Sequence, residues 1–211
     1  MYCGVDDLRR EGVTEDQASD ECLVSMCELA SNYIDVMTGR WFEPRERTIK
    51  MDGNGGAVLP LPHFLIQAES VKCDGVFVTD YVLYDEPEDR DYPKLHRHRG
   101  WKRGARNVEI RGIWGYVDFN DDGTYSTPPL IRTAARRLVL LELAAASAGD
   151  GSVDAAREMC GLLVEETTDG HSYKLDRSLT TLYVDKVYTG DMEIDQIIER
   201  FAAFSMGLGL I

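Results

Sequence analysis

Through "TEDQASDECLVSMCELASNYIDVMTGR" apolar residues recur at Cys22, Met26, Leu29, Ala30, Tyr33, Ile34 and Met37. That spacing keeps one side of a helix apolar. Thr14 and Gln17 supply a capping-box pair, Glu15 and Asp16 suit the positive end of the helix dipole, and Gly39 follows as a terminating glycine. The pattern predicts a helix from this cap to Thr38. From about Arg45 to Tyr125 the period shortens. "RTIKMDGNGGAVLPLP", "QAESVKCDGVFV", "DYVLYD" and "NVEIRGIWGYV" read as short strands, parted by the turn chemistry of "DGNGG", "CDG" and "RGARN". Asp74-Gly75 predicts a hairpin through Val71–Val78, and Pro60 and Pro62 put their strand at a sheet edge.

The helical period returns with Thr127 as an expected N-cap and Pro128 at the first helical position, in a helix ending near Ala148-Gly149. Arg132, Arg136 and Arg137 come early; "LVLLELAAASA" then offers only Glu142 and Ser147 as polar groups. A helix apolar nearly all round is buried nearly all round. Its second side is covered either by its own neighbouring helices or by another protomer. Val153–Val164 reads as a third helix, and "EETTDGHSYKLDRSL" is polar without a clear period. The last helix opens at Asp191 as cap and lines up Ile194, Ile197, Ile198, Phe201 and Phe204, before the apolar tail Met206–Ile211. The expected fold class is α+β, a mainly α-helical bundle with an inserted small antiparallel β-sheet. The bundle would take residues 1–44 and 127–205 of a single domain, the insertion 45–126 and the tail 206–211.

Composition narrows the function classes. The formal charge is −14, from 37 acidic and 23 basic residues among 211. That speaks against general nucleic-acid affinity, which rests on basic side chains displacing counterions from phosphates. Five scattered cysteines without a CxxC pair read as reduced thiols in a chain made in the cytosol. The N-terminus has no apolar signal region, and the apolar run Leu138–Ala146 is broken by Glu142 and too short for a bilayer, so no membrane role is expected.

Candidate chemistry is sparse. In "DFNDDG", Asp118, Asn120, Asp122 and Gly123 match the first half of a calcium loop, but the position that should hold a bidentate Glu is Pro129. A solvated turn accounts for the same residues. "LHRHRGWKRGAR" joins His96 and His98 to a basic arm without the further ligands a zinc site needs. The acidic "DEPEDRD" stands just upstream. Asp85, Glu86 and Glu88 are therefore expected to pair with Arg97, Arg99 and Arg103, within one subunit or between neighbours. His63 and His171 stand alone, no hydrolase, Walker, zincin or dinucleotide motif occurs, and neither an enzyme nor a cofactor is expected.

Taken in order, "DDL…ASNYIDVMTGRWFEPR…DGNG…LPLP…SVKCDG…DYVLYD…W…NVEIRGIWGY…PPLIRTAARRLVLLELA…GDMEIDQII" resembles the head-to-tail adaptor (connector) proteins of tailed double-stranded DNA bacteriophages and gene transfer agents. The succession of "TGR.F", "V..DG", "G.WGY" and "GD.EID" carries the likeness along nearly the whole chain. It implies a structural protein of the virion neck, made in the host cytoplasm and assembled into a ring, usually of twelve copies. The ring would lie between the portal protein and a stopper or tail-terminator protein, with DNA passing through its channel unbound. A stopper, a tail-completion protein, or a calcium-dependent binding module are the alternatives. Small residues and free backbone groups in the tail suit docking on a partner. Ile197, Phe201, Phe204, Met206, Leu208, Leu210 and Ile211 are accordingly the expected portal contacts.

Overall fold

The computed structural model describes residues 1–147, 165–168, 171–174 and 189–202. They divide into two compact units, Met1–Met37 with the described part of Pro129–Phe201, and Thr38–Pro128.

The first unit is helical. α1 (Val5–Arg10) is a short helix that apolar spacing does not announce; the Asp7 carboxylate accepts the Gly4 N–H at its start. α2 (Asp20–Thr38) begins later than its expected cap. Thr14 N–H donates to Gln17 Oε1 at 2.8 Å, but this closes a separate turn, and Ser19 Oγ receives the Cys22 N–H instead. Gly39, at φ 66°, ends the helix as expected. Leu23, Cys27, Ala30, Ser31 and Ile34 point inward. Leu29 and Val36 point outward, 60% and 80% exposed.

α3 (Pro129–Ser147) starts one residue after the expected proline, and the Thr127 hydroxyl donates to the Phe42 carbonyl at 2.8 Å. It buries Ile131, Ala134, Ala135, Val139 and Ala144, with Leu138, Leu140 and Leu141 half-buried. α4 (Met192–Phe201) packs against α3. The segment without a clear period holds a hairpin, β10 (Glu165–Thr168) against β11 (His171–Lys174). The expected helix Val153–Val164 lies outside the described residues.

The second unit is built on sheet. β1 (Arg45–Gly53), β3 (Leu65–Cys73), β4 (Val76–Phe77) and β7 (Gly104–Trp114) form an antiparallel sheet in the order β1-β7-β3-β4. β2 (Val58–Pro60), β5 (Val82–Leu83) and β6 (Lys94–His96) form a second in the order β2-β6-β5, while β8 (Asp118–Phe119) pairs with β9 (Tyr125–Ser126). The Val71–Val78 hairpin turns on Asp74 and Gly75, both at positive φ as a two-residue primed turn requires, and Pro60 lies on an edge strand.

This overturns the expectation of a mainly α-helical bundle with a small β insertion. Alternation along β7 sends Val108, Ile110 and Trp114 to one side, where they meet Leu59, Leu65, Val71, Leu95 and Trp101 in a core belonging to the sheets themselves. Gly112 is part of the reason. A Cβ there would collide with the Gln67 carbonyl and with Leu65, so only glycine lets β3 and β7 approach at that point. On the other side of β7, the Trp114 indole N–H donates to the Arg47 carbonyl of β1 at 3.0 Å.

Candidate functional site

The two charged arms lie in the sheet unit. The acidic arm is a 3-10 turn, Pro87–Asp91, held at its far end. Arg90 donates to the Val117 carbonyl at 2.7 Å and to Asp118 at 2.8 Å; Arg40 donates to Asp91 at 2.9 Å. Both guanidiniums lie over the Tyr116 ring, at 4.8 and 4.5 Å, within the range of cation–π attraction. Burial raises the Tyr116 hydroxyl above its ordinary pKa, and Asp91 adds to that. Sequence reasoning missed this clamp. Its signal was one arginine, Arg90, inside an acidic run and a tyrosine after "GIWG".

The clamp fixes the turn and leaves its acids outside. Asp85, Glu86 and Glu88 are exposed and make no ion pair with another described residue. On the basic arm, Arg97 turns to Asp80 at 2.9 Å, and Arg99, 83% exposed, stands 3.8 Å from the same carboxylate. Arg97 donating to Asp80 holds that carboxyl below its usual range. Lys102 pairs with Asp74, and Arg103 is exposed without an ion pair among the described residues. Between the arms, Lys94 reaches Asp89 at 3.8 Å. Within this chain the basic arm is thus satisfied mainly by Asp74 and Asp80, neither of which belongs to the acidic arm.

The "DFNDDG" oxygens are turned to their own hairpin. Asp118 pairs with Arg90, and Asp122 accepts the Thr124 N–H and hydroxyl at 2.9 and 2.6 Å. Asn120 bonds Thr124 and Ser126. The Thr124 hydroxyl and N–H donated to Asp122 hold its carboxyl below the ordinary pKa. Among the described residues no group of three or more His, Cys, Asp or Glu side chains is placed to hold a metal ion. His96 ends β6, whereas His98 sits in the following turn, so the two do not share a strand face.

Of the expected portal contacts, Ile197 is a core residue of α4 and Phe201 is half-buried, which takes Ile197 off any outward surface. Phe204, Met206, Leu208, Leu210 and Ile211 lie outside the described residues. Asp191 caps α4 as expected, receiving the Glu193 and Ile194 N–H groups at 2.9 and 3.2 Å. No described helix is long and apolar enough to cross a membrane.

No family model matches the chain. No curated protein matches its sequence. Among solved structures, a chain of the neck of an empty gene transfer agent particle, computed with C6 symmetry, has a similar fold. The TM-score is 0.52 at 13% identity, over 94% of this chain and 88% of that one. An identity that low shows a shared fold.

Proposed function

We propose that this chain is a structural protein of a virion neck, a non-enzymatic head-to-tail adaptor that assembles with copies of itself into a ring between the portal and the stopper or tail terminator. The observation that carries the reading is the fold shared, over nearly the full length of both chains, with a component of a particle neck. The surface supports self-association. Leu29 and Val36 on α2 present apolar area that is not covered within the protomer. Asp85, Glu86 and Glu88 on one arm and Arg103 on the other carry opposite charges with no ion pair at home among the described residues. A copy that offers both signs at different places can bind the next copy head to tail, and such contacts close into rings when the rotation permits.

The acidic balance suits a channel wall, since a formal charge of −14 does not grip phosphates and lets DNA slide. The chain is made in the host cytoplasm and acts in the finished particle.

The test is to mix the purified protein with its portal protein and examine the product by native mass spectrometry and electron microscopy. A ring of this chain seated on the portal is the expected result. A chain that stays monomeric beside assembled portals, or that joins only a neck already carrying another ring, would overturn the adaptor reading in favour of a stopper or tail-completion role.

A further inference from the structure

Cys3 and Cys27 are both buried, and their sulfur atoms lie 3.4 Å apart although the residues are 24 positions apart in the chain. Neighbouring bonds hold them in register. Tyr2 N–H donates to Ser31 Oγ at 2.9 Å, Ser31 Oγ donates to the Cys27 carbonyl at 2.7 Å, and the Tyr2 hydroxyl bonds Asp35. The residue before Cys3 is thus tied to α2 on the turn after Cys27. A disulfide needs an S–S distance of about 2.05 Å, so the two sulfurs have about 1.4 Å left to close.

We propose that Cys3 and Cys27 are an oxidation site, which closes into an intrachain disulfide and staples the N-terminal segment to α2 once the protein leaves reducing surroundings. The oxidant is a low-molecular-weight disulfide. The Cys3 thiolate attacks one of its sulfurs, forming a mixed disulfide and releasing one small thiolate. The Cys27 thiol then loses its proton and attacks the Cys3 sulfur, forming the Cys3–Cys27 bond and expelling the second small thiol. Two protein thiols are oxidised, and one small disulfide is reduced to two thiols.

The surroundings make the site slow rather than inert. Burial is the main cause that pushes both thiols above their ordinary pKa. Asp7 faces both and raises them further, while Arg136 acts on Cys3 and the N-terminal ammonium on Cys27 in the opposite sense. Since the thiolate is the attacking species, reaction waits for a local opening that carries Cys3 into water. Closure therefore speeds up as pH rises.

The experiment takes the full chain, purified under reductant, into oxidised glutathione under native conditions. Remaining thiols are alkylated after denaturation and the peptides mapped. The expected result is a cross-linked pair joining Cys3 to Cys27, absent from Cys3→Ser. The melting temperature of the oxidised protein should rise by roughly 5–10 °C, reversed by dithiothreitol. Exposed Cys22 is the internal control for the oxidant. If Cys22 is glutathionylated while Cys3 and Cys27 are both recovered alkylated, the site does not exist. A cross-link without a rise in melting temperature would overturn the staple. Cys3→Ala keeps a small apolar side chain at this buried position and serves as the reference if a serine variant fails to fold.

Discussion

Asp191→Ala removes a carboxylate that is 1% exposed and serves two helices at once. Its Oδ1 accepts the first free N–H groups of α4, and its Oδ2 accepts Arg137 Nη2 at 2.8 Å and Nε at 3.2 Å from α3. Loss of a cap of this kind costs about 0.5–2 kcal/mol. Breaking a fully buried ion pair would add roughly 3–5 kcal/mol, because the remaining charge is stranded. Arg137 is not stranded: its side chain is 31% exposed and keeps Glu193 at 2.9 Å. The pairing contribution therefore shrinks to about 1–2 kcal/mol, and the alanine variant should lose about 1.5–4 kcal/mol in all. Asp191→Asn keeps a good cap but gives up the charge, so it should lose about 1–2 kcal/mol. Urea unfolding followed by far-ultraviolet circular dichroism, with midpoints compared at constant slope, measures both. An alanine variant within about 0.5 kcal/mol of the parent would refute the reasoning, since surface substitutions do no more than that. Equal losses for Asn and Ala would refute the cap alone.

Four further outcomes follow from the same reading. Asp85→Lys, Glu86→Lys and Glu88→Lys together should weaken ring formation while leaving the monomer folded, and the parent's assembly should weaken with salt, since exposed charges are screened beyond about 10 Å at 0.1 M; sedimentation that is unchanged in the triple variant and across a salt series counts against the charged interface. Leu29→Glu with Val36→Glu should cost little stability in the protomer, because both are already in water, yet reduce assembly sharply in native mass spectrometry. Deleting residues 206–211 should leave the melting temperature nearly unchanged and abolish portal binding in a pull-down; full binding by the truncated chain would remove the tail as the docking element. His63 is stacked on Trp41 at 4.0 Å, and burial, then Arg45 and Arg40, lower its pKa. The unfolded chain therefore takes up that proton first, so this group's share of stability is lost as the pH falls below about 6.5 and levels off beneath the lowered native value; His63→Phe should flatten the stability difference between pH 7.5 and 5, and an unchanged slope would exclude His63 as its source.

Local signals were read well where the local residues decide the structure. Asp74-Gly75 needs two positive φ angles and found them; Gly39 ended α2; Pro60 lay on an edge; Asp191 capped α4. Errors came where a distant partner decided. Thr14 and Gln17 did bond to each other, but that bond closed a turn rather than a helix, because the helix took Ser19 instead. One small antiparallel sheet was expected, inserted in a mainly helical bundle, yet Trp101 and Trp114, far apart from Leu59 and Val71 in sequence, close a core belonging to the sheets themselves. Of the arm pairing expected within one subunit or between neighbours, the protomer holds Lys94 with Asp89, while Arg97 and Lys102 found Asp80 and Asp74 through the fold of β6 and the turns around it. The Arg40–Tyr116–Arg90 clamp joins three segments, so the lone Arg90 in an acidic run did not by itself reveal its partners.

The helix that looked most in need of a partner is not the one that lacks cover. Mean apolarity says how much of a helix must leave water, but not which neighbour covers it. On α3, from Leu138 onward, every leucine and valine is at least half-buried, and α1 and α4 both pack against the helix. Its second side is thus largely closed by the protomer's own helices. α2 read as an ordinary amphipathic helix because its apolar positions were counted as one stripe. The structure divides that stripe: its Ala30 and Ile34 go to the core, joined there by Leu23 and Cys27, while its Cys22 and Leu29 face outward beside Val36, with Met26, Tyr33 and Met37 between. α2 also carries four acids, Asp20, Glu21, Glu28 and Asp35, and no basic residue, so the outward apolar stripe is flanked by negative charge alone. A neighbouring copy that covers it gains from burying Leu29 and Val36 and from bringing a basic group to Glu21 or Glu28. Exposed Arg132, at the start of α3, is a basic group of that kind carried by every copy. If the chain assembles as proposed, the association surface is expected on α2 rather than α3, and Leu29 and Val36 are the positions where loss of assembly and loss of stability should separate most cleanly.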